Sequence, residues 1–321
     1  MNNSETVALL LRKAFPDPKV TITPEAVTAS LRALQDAASR KPELFKGHGF
    51  DGKISTDLAP PQTNGDKRIV DYWLGKGFHH RTSPIESKFP VQLSFVRVEV
   101  LDGWETSPIE TAIGTVHAGD HKLYSLKVAK EYLADISTTL KIEFPELVRV
   151  QALTVARAGG ARFAAIGVYL FYGATGDPFA YALEAGMATG ESRVLYFGAD
   201  FVKPLLRKSF YKPTPFSDPS FCYRGLFSLN DVGDPAHLSV EVMDNPLASA
   251  HMRVEVEYVL VPEKDAPCVF PAILTIQAAC RVAAIAEASG MPFNDVGPLA
   301  GVFAHLGREM YPWMKKPGAQ P

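Results

Sequence analysis

The chain has 321 residues, 46% hydrophobic and 21% charged, which is enough to bury a full core in one large domain or two. Lys+Arg number 33 against Asp+Glu 35, for a net charge of −2 and a pI near 6.5, so a bulk electrostatic grip on nucleic acid is excluded and any such contact must be local. Three widely spaced cysteines, Cys222, Cys268 and Cys280, form neither a disulfide framework nor a zinc cluster and read as buried thiols.

Residues 4–46 read as helical. Val7, Leu10, Leu11 and Ala14 recur at helical spacing within Thr6–Phe15. A second helix opens at Thr23-Pro24-Glu25, where Thr is a good cap and Pro suits the first turn. Residues 47–67 are rich in Gly, Pro, Asp and Asn and read as a linker, so residues 1–67 are expected to form a helical arm with its linker. The N-terminus lacks the basic start and long apolar core of a signal peptide.

Residues 67–88 are the most basic and aromatic-interleaved stretch. Lys67, Arg68, Lys76, Arg81 and Lys88 alternate with Tyr72, Trp73, Phe78 and the pair His79-His80, against Asp66, Asp71 and Glu86. Such a stretch suits a nucleic-acid backbone with stacked bases, and those five cations are the candidate RNA contacts. The more ordinary reading of the same residues is that the aromatics are core and the charges solvated.

From residue 91 the apolar period changes to two. Strands are expected at Val91–Val100 and Lys122–Val128, with a turn of helix over Tyr132–Leu140. Val148–Arg157 and Arg162–Tyr172 read as a hairpin around Ala-Gly-Gly-Ala, and Arg193–Phe197 as another strand. Asp200–Arg207 reads as a short helical connection, before strands at Phe221–Leu229, His237–Met243 and His251–Val261. About eight strands with turn clusters between them predict an antiparallel β-sandwich over 68–262, of the jelly-roll kind, with helical extensions at both ends. After Pro262 the helical period returns over 263–321: Pro271–Ala288 is mostly apolar with Gly290 as a stop, and Val296–Met314 is a weaker segment. The most apolar window, Cys268–Ala279, is too short to span a bilayer, so no membrane partner is expected.

Several segments in this order carry a resemblance: KLYSLKVAKEYLADIS at 122–137, FPELVRVQALTV at 144–155, GVYLFYGATGDP at 167–178, LFSLNDVGDPAHLSVEVMDN at 226–245 and HMRVEVEYVLVP at 251–262. Over roughly 90–262 the chain resembles the jelly-roll coat proteins of small icosahedral positive-strand RNA viruses of the tombusvirus and sobemovirus kind. The resemblance implies a non-enzymatic structural subunit that self-assembles into a closed homo-oligomeric shell around viral RNA. It also implies residence in the virion, and in the host cytoplasm during assembly. It implies no cofactor, no catalytic residue and no small-molecule substrate. One departure is plain. Those proteins carry a strongly basic arm, whereas residues 1–53 here hold eight basic residues against six acidic ones.

Few residues suggest other chemistry. His117 and His121 flank Asp120 in VHAGDHK, the best metal or catalytic candidates for a rival reading as a cupin-like metal enzyme or a carbohydrate-binding module on the same sandwich. Asp177, Asp231 and Asp234 lie in expected loops, where carboxylates at a subunit contact can bind calcium or simply form turns. Neither the Arg157–Arg162 turn nor GATG at 173–176 is a phosphate-binding fingerprint.

Overall fold

The computed structural model describes residues 3–14, 22–40, 66–104, 107–157, 166–186, 193–202, 205–208, 216, 221–266, 271–296 and 298–314. Its centre is one antiparallel sheet of ten strands in the order β8-β7-β6-β5-β2-β1-β12-β11-β10-β9. The strands are β1 (Ile69–Arg81), β2 (Ser87–Glu99), β5 (Arg149–Thr154), β6 (Ile166–Tyr172), β7 (Pro178–Gly186), β8 (Arg193–Gly198), β9 (Leu205–Lys208), β10 (Cys222–Leu229), β11 (Pro235–Met243) and β12 (Met252–Val261). A separate hairpin is formed by β3 (Ile109–Thr111) and β4 (Gly114–Val116). The edge strands β8 and β9 approach each other, so the sheet curls almost into a barrel. At the level of class this is the expected mainly β, antiparallel protein with helices at both ends. Among the described residues twelve strands, ten of them in this sheet, stand where about eight were read, and sequence neighbours are sheet neighbours at every step of it except β2–β5 and β1–β12.

Alternation along the strands makes two cores. One face of β1, β2, β5–β8 and β10–β12 points inward and fills the barrel with Trp73, Phe95, Leu170, Tyr181, Tyr196, Tyr223, Phe227 and Tyr258. Glycines make room for these rings. A Cβ at Gly75 would lie 2.7 Å from the Phe95 ring, and one at Gly198 would lie 2.3 Å from the Tyr181 ring. The opposite face of β2 and β5–β8 is covered by residues 100–104 and 107–147, with Trp104, Leu123, Ala129 and Leu133 packed on Val96, Val150, Tyr169 and Phe171.

This covering layer contains α3 (Leu126–Leu140), which replaces part of the expected strand at Lys122–Val128. Ser125 accepts the Val128 N–H at 3.2 Å and caps the helix, while Leu126, Ala129 and Leu133 give it one apolar face. The expected helical connection at Asp200–Arg207 is also corrected. Asp200 accepts the Val202 N–H at 2.7 Å in a turn, and β9 then follows along the free edge of β10. The Leu147–Tyr172 hairpin forms as read, with Arg149 paired to Tyr172, and its turn lies outside the described residues.

The terminal helices pack on each other. They are α1 (Asn3–Ala14), α2 (Pro24–Arg40), α4 (Pro271–Ser289), α5 (Phe293–Val296), α6 (Pro298–Val302) and α7 (Ala304–Met310). Thr23 accepts the Ala26 N–H at 3.2 Å to start α2, and Gly290, at φ 73°, stops α4 as expected. Leu11, Ile22, Val27, Ile276 and Phe303 form their shared core, which also takes Phe89 from β2. In return Leu274 of α4 enters the barrel core. The helices therefore cap one end of the barrel, the helix end. The opposite, loop end collects the β6–β7, β8–β9 and β10–β11 turns and the end of β12.

Candidate functional site

The five candidate RNA contacts do not act as one surface. Arg81 is 1% exposed and points into the barrel, with Nη1 donating to the Ser83 carbonyl at 3.0 Å and Nη2 to the Met252 sulfur at 3.2 Å. It cannot meet an external polyanion, and its assignment is corrected: residue parity on β1 puts positions 73 to 81 inward at odd numbers. Arg68 is bound to Asp66, with Nη2 2.5 Å from Oδ2, and to the carbonyls of Ser107 and Pro108.

Lys67, Lys76 and Lys88 are exposed. Lys76 and Lys88 share the outer face of β1–β2 with Phe78, whose ring centroid lies 4.2 Å from the Lys88 Nζ. Across the ladder, however, Lys76 pairs with Glu257 and Phe78 with Glu255. The same face carries Arg253 and Arg224 on Glu241, and His237 at 2.6 Å from Glu255. This is a salt-laced, charge-balanced sheet surface, unlike the one-sign groove a nucleic-acid backbone needs.

His117 and His121 do not converge. They flank the 3-10 turn Ala118–Asp120. Asp120 is gripped by both Nε and Nη2 of Arg157, at 2.5 and 2.6 Å. Burial, and then the Arg157 charge, hold the His117 pKa below its ordinary value. His121 turns under the covering layer, stacks on Trp104 with centroids 5.3 Å apart, and puts Nδ1 3.5 Å from Glu184. Glu184 also accepts the Lys122 N–H at 3.0 Å and the Tyr169 hydroxyl. Among the described residues no three His, Cys, Asp or Glu side chains could hold a metal ion together.

Glu184 and Tyr169 were missed in the sequence. The available signal was a lone acid in the apolar run FAYALEAG, at an outward-facing position of β7 that the covering layer buries.

The loop end is different in character. Inside its rim a satisfied polar network closes the barrel. Arg97 reaches Asp71 and, at 3.0 Å, Asp234, while Gln151 bridges Glu99 and Tyr172 at 2.7 and 2.8 Å. Asp234 is thus engaged, while Asp177 and Asp231 stay on separate turns. Around the network stand apolar tips: Val202 is 81% exposed, Val232 80%, Leu260 55% and Val148 54%.

Fold and surface together define a mainly β protein with a filled, twice-capped barrel and a polar outer sheet. No family model, no curated protein and no solved structure matches the chain. No helix among the described residues is long and apolar enough to cross a membrane.

Proposed function

We propose that the protein is a structural subunit that self-assembles, in line with its resemblance to icosahedral coat proteins, and that the loop end is its contact surface. The observation that carries this reading is the set of exposed Val202, Val232, Leu260 and Val148 at one end of a barrel whose interior is already filled. Apolar side chains held on turns, as Val202 and Val232 are, or at strand ends, as Leu260 and Val148 are, lose little conformational entropy on contact and leave water when a neighbour covers them. A shell needs such surfaces and needs no reaction centre.

Enclosure of RNA is the less supported half of the reading. Lys67, Lys76 and Lys88 remain as contacts, and Glu255 and Glu257 beside them weaken any polyanion grip. In the rival metal-enzyme reading, His117, Asp120 and His121 would act together, but Asp120 is bound to Arg157 and His121 lies beside Glu184.

The test is negative-stain microscopy of purified protein, with absorbance at 260 and 280 nm on the same fraction. Closed particles are expected, and excess absorbance at 260 nm would establish packaged nucleic acid. Empty particles would retain the shell and remove RNA as its driver. A small monodisperse species at every salt and pH tried would overturn the assembly reading.

A further inference from the structure

The helix end of the barrel gathers hydrogen-bond donors and positive charge in one place. Arg81 and Ser87 are cross-strand partners on the inward face of β1 and β2. One step along the same face His79 opposes Phe89, and their rings stack with centroids 4.9 Å apart. Cross-strand partners and next same-face neighbours lie about 5 and 7 Å apart, so these groups crowd one small volume. Helix α4 adds Arg281. Its guanidinium carbon lies 3.9 Å from the Phe89 ring centroid, and its Nη2 is 3.4 Å from His79 Nε2. His251, just before β12, closes the side next to Arg81; burial lowers its pKa, Asp244 at 3.5 Å from Nδ1 raises it, and the Arg81 charge lowers it.

Among the described residues, Arg281 Nε, His79 Nδ1, Ser87 Oγ and His251 Nε2 are shut from solvent here and find no hydrogen-bond partner. Among the described residues, the hydrogen-bond and ring contacts of Arg281 are a histidine nitrogen and an aromatic face, neither of which is a counter-ion. Nor can its neighbours become one. Burial pushes the Tyr311 phenol and the Cys280 thiol far above their ordinary pKa values, so both stay neutral beside it. Burial and the facing Arg281 also lower the Arg81 pKa to about 9, the response of two cations held together. A buried guanidinium without an anion is strongly unfavourable, and orphaned buried donors add to the cost. A single compact anion with acceptors pointing in several directions removes both problems, because the donors come from β1, β2 and α4 at once.

We propose that this junction is a binding site for a compact oxyanion of the phosphate class, held by Arg281, His79 and Ser87 with Arg81 as the second positive charge. Bound there, the anion ties the terminal helices to the barrel. The site does not depend on the assembly reading, since it lies at the opposite end from the loop tips.

The experiment is thermal unfolding of the full chain in phosphate-free buffer, titrated with sodium orthophosphate and, separately, with sodium chloride at matched ionic strength. The melting temperature should rise with phosphate, saturate, and exceed the chloride control. Arg281→Met should melt no lower than the parent without phosphate and should lose the phosphate response. Ser87→Ala, which leaves every charge in place, should keep the response with a midpoint shifted several-fold to higher phosphate. A parallel arm with adenosine monophosphate separates two sources of the same chemistry. A response to orthophosphate assigns a free anion, and a response to the nucleotide alone assigns the phosphate group of a larger ligand. Equal shifts with phosphate and chloride, together with no nucleotide response, overturn the proposal, as does an undiminished response in Arg281→Met. Should Arg281→Met fail to fold, phosphorus NMR line broadening of orthophosphate by the parent and by Ser87→Ala decides the same question.

Discussion

Single residues matter most where a polar group is buried under a layer that needs it. Glu184 accepts bonds from the Lys122 N–H and the Tyr169 hydroxyl and lies beside His121, so it fastens the covering layer to the sheet at residues 121–122. Glu184→Ala leaves those donors unsatisfied and should cost about 2–4 kcal/mol, read as a lower urea midpoint. An unchanged midpoint would show that the layer is held by apolar packing alone.

His79 offers a second test. Burial, then the charges of Arg281 and Arg81, hold its folded pKa well below 6.5. The unfolded chain therefore binds the proton first. Stability from this group is full above pH 6.5 and falls as pH drops below it, by up to about 1.4 kcal/mol per pH unit. His117 and His251 shift in the same direction, also mainly through burial, and steepen the loss. Chemical denaturation at pH 7.5 and 5.5 should show the drop, and His79→Phe should reduce it. A pH-independent midpoint would contradict the lowered pKa values of all three rings.

At the scale of elements, β1 organises the sheet, because it joins the two halves through β2 and β12. Its glycines make this possible. A Cβ at Gly77 would fall 1.7 Å from the Glu255 carbonyl oxygen, so Gly77→Ala must push β12 away. The variant is expected to lose at least about 3 kcal/mol or to be insoluble, measured by denaturation or soluble yield. A fully stable variant would mean that the β1–β12 register is wrong. β1 was also the element least legible in the sequence. Its polar residues Lys76, His79, His80 and Arg81 hide a strand that is inward-facing at odd positions only, two of which are glycine. The stretch at 122–128 misled for another reason. A short apolar alternation cannot be told from the first turn of a helix, and Ser125 as a cap settled it.

For the whole molecule, the barrel is filled by aromatic rings, closed by a polar network at one end and by α4 at the other. What remains outside includes a charge-balanced sheet face, the exposed apolar residues of the loop end and, at the helix end, Leu247 in the β11–β12 turn, 97% exposed. If the loop-end residues form the subunit contact, Val202→Asp combined with Val232→Asp should abolish large assemblies and leave the monomer's melting temperature within a few degrees, because both side chains are already exposed. Sedimentation velocity distinguishes the outcomes. Particles of unchanged size would move the contact elsewhere.

The sequence by itself determined the class of the fold. Period-two runs such as Arg253-Val-Glu-Val-Glu-Tyr and the hairpin of β5 and β6 specify strands, while a capped amphipathic segment near the N-terminus and an apolar run stopped by Gly290 near the C-terminus specify helices, because these signals are local. Only the tertiary structure decided which face of each strand is buried, and that choice reassigned the candidate sites. Arg81 went into the barrel and Asp120 onto Arg157. Arg281 met His79 from 202 positions away in the chain. Burial and charge neighbourhood arise from contacts between distant segments, and no spacing within one segment encodes them.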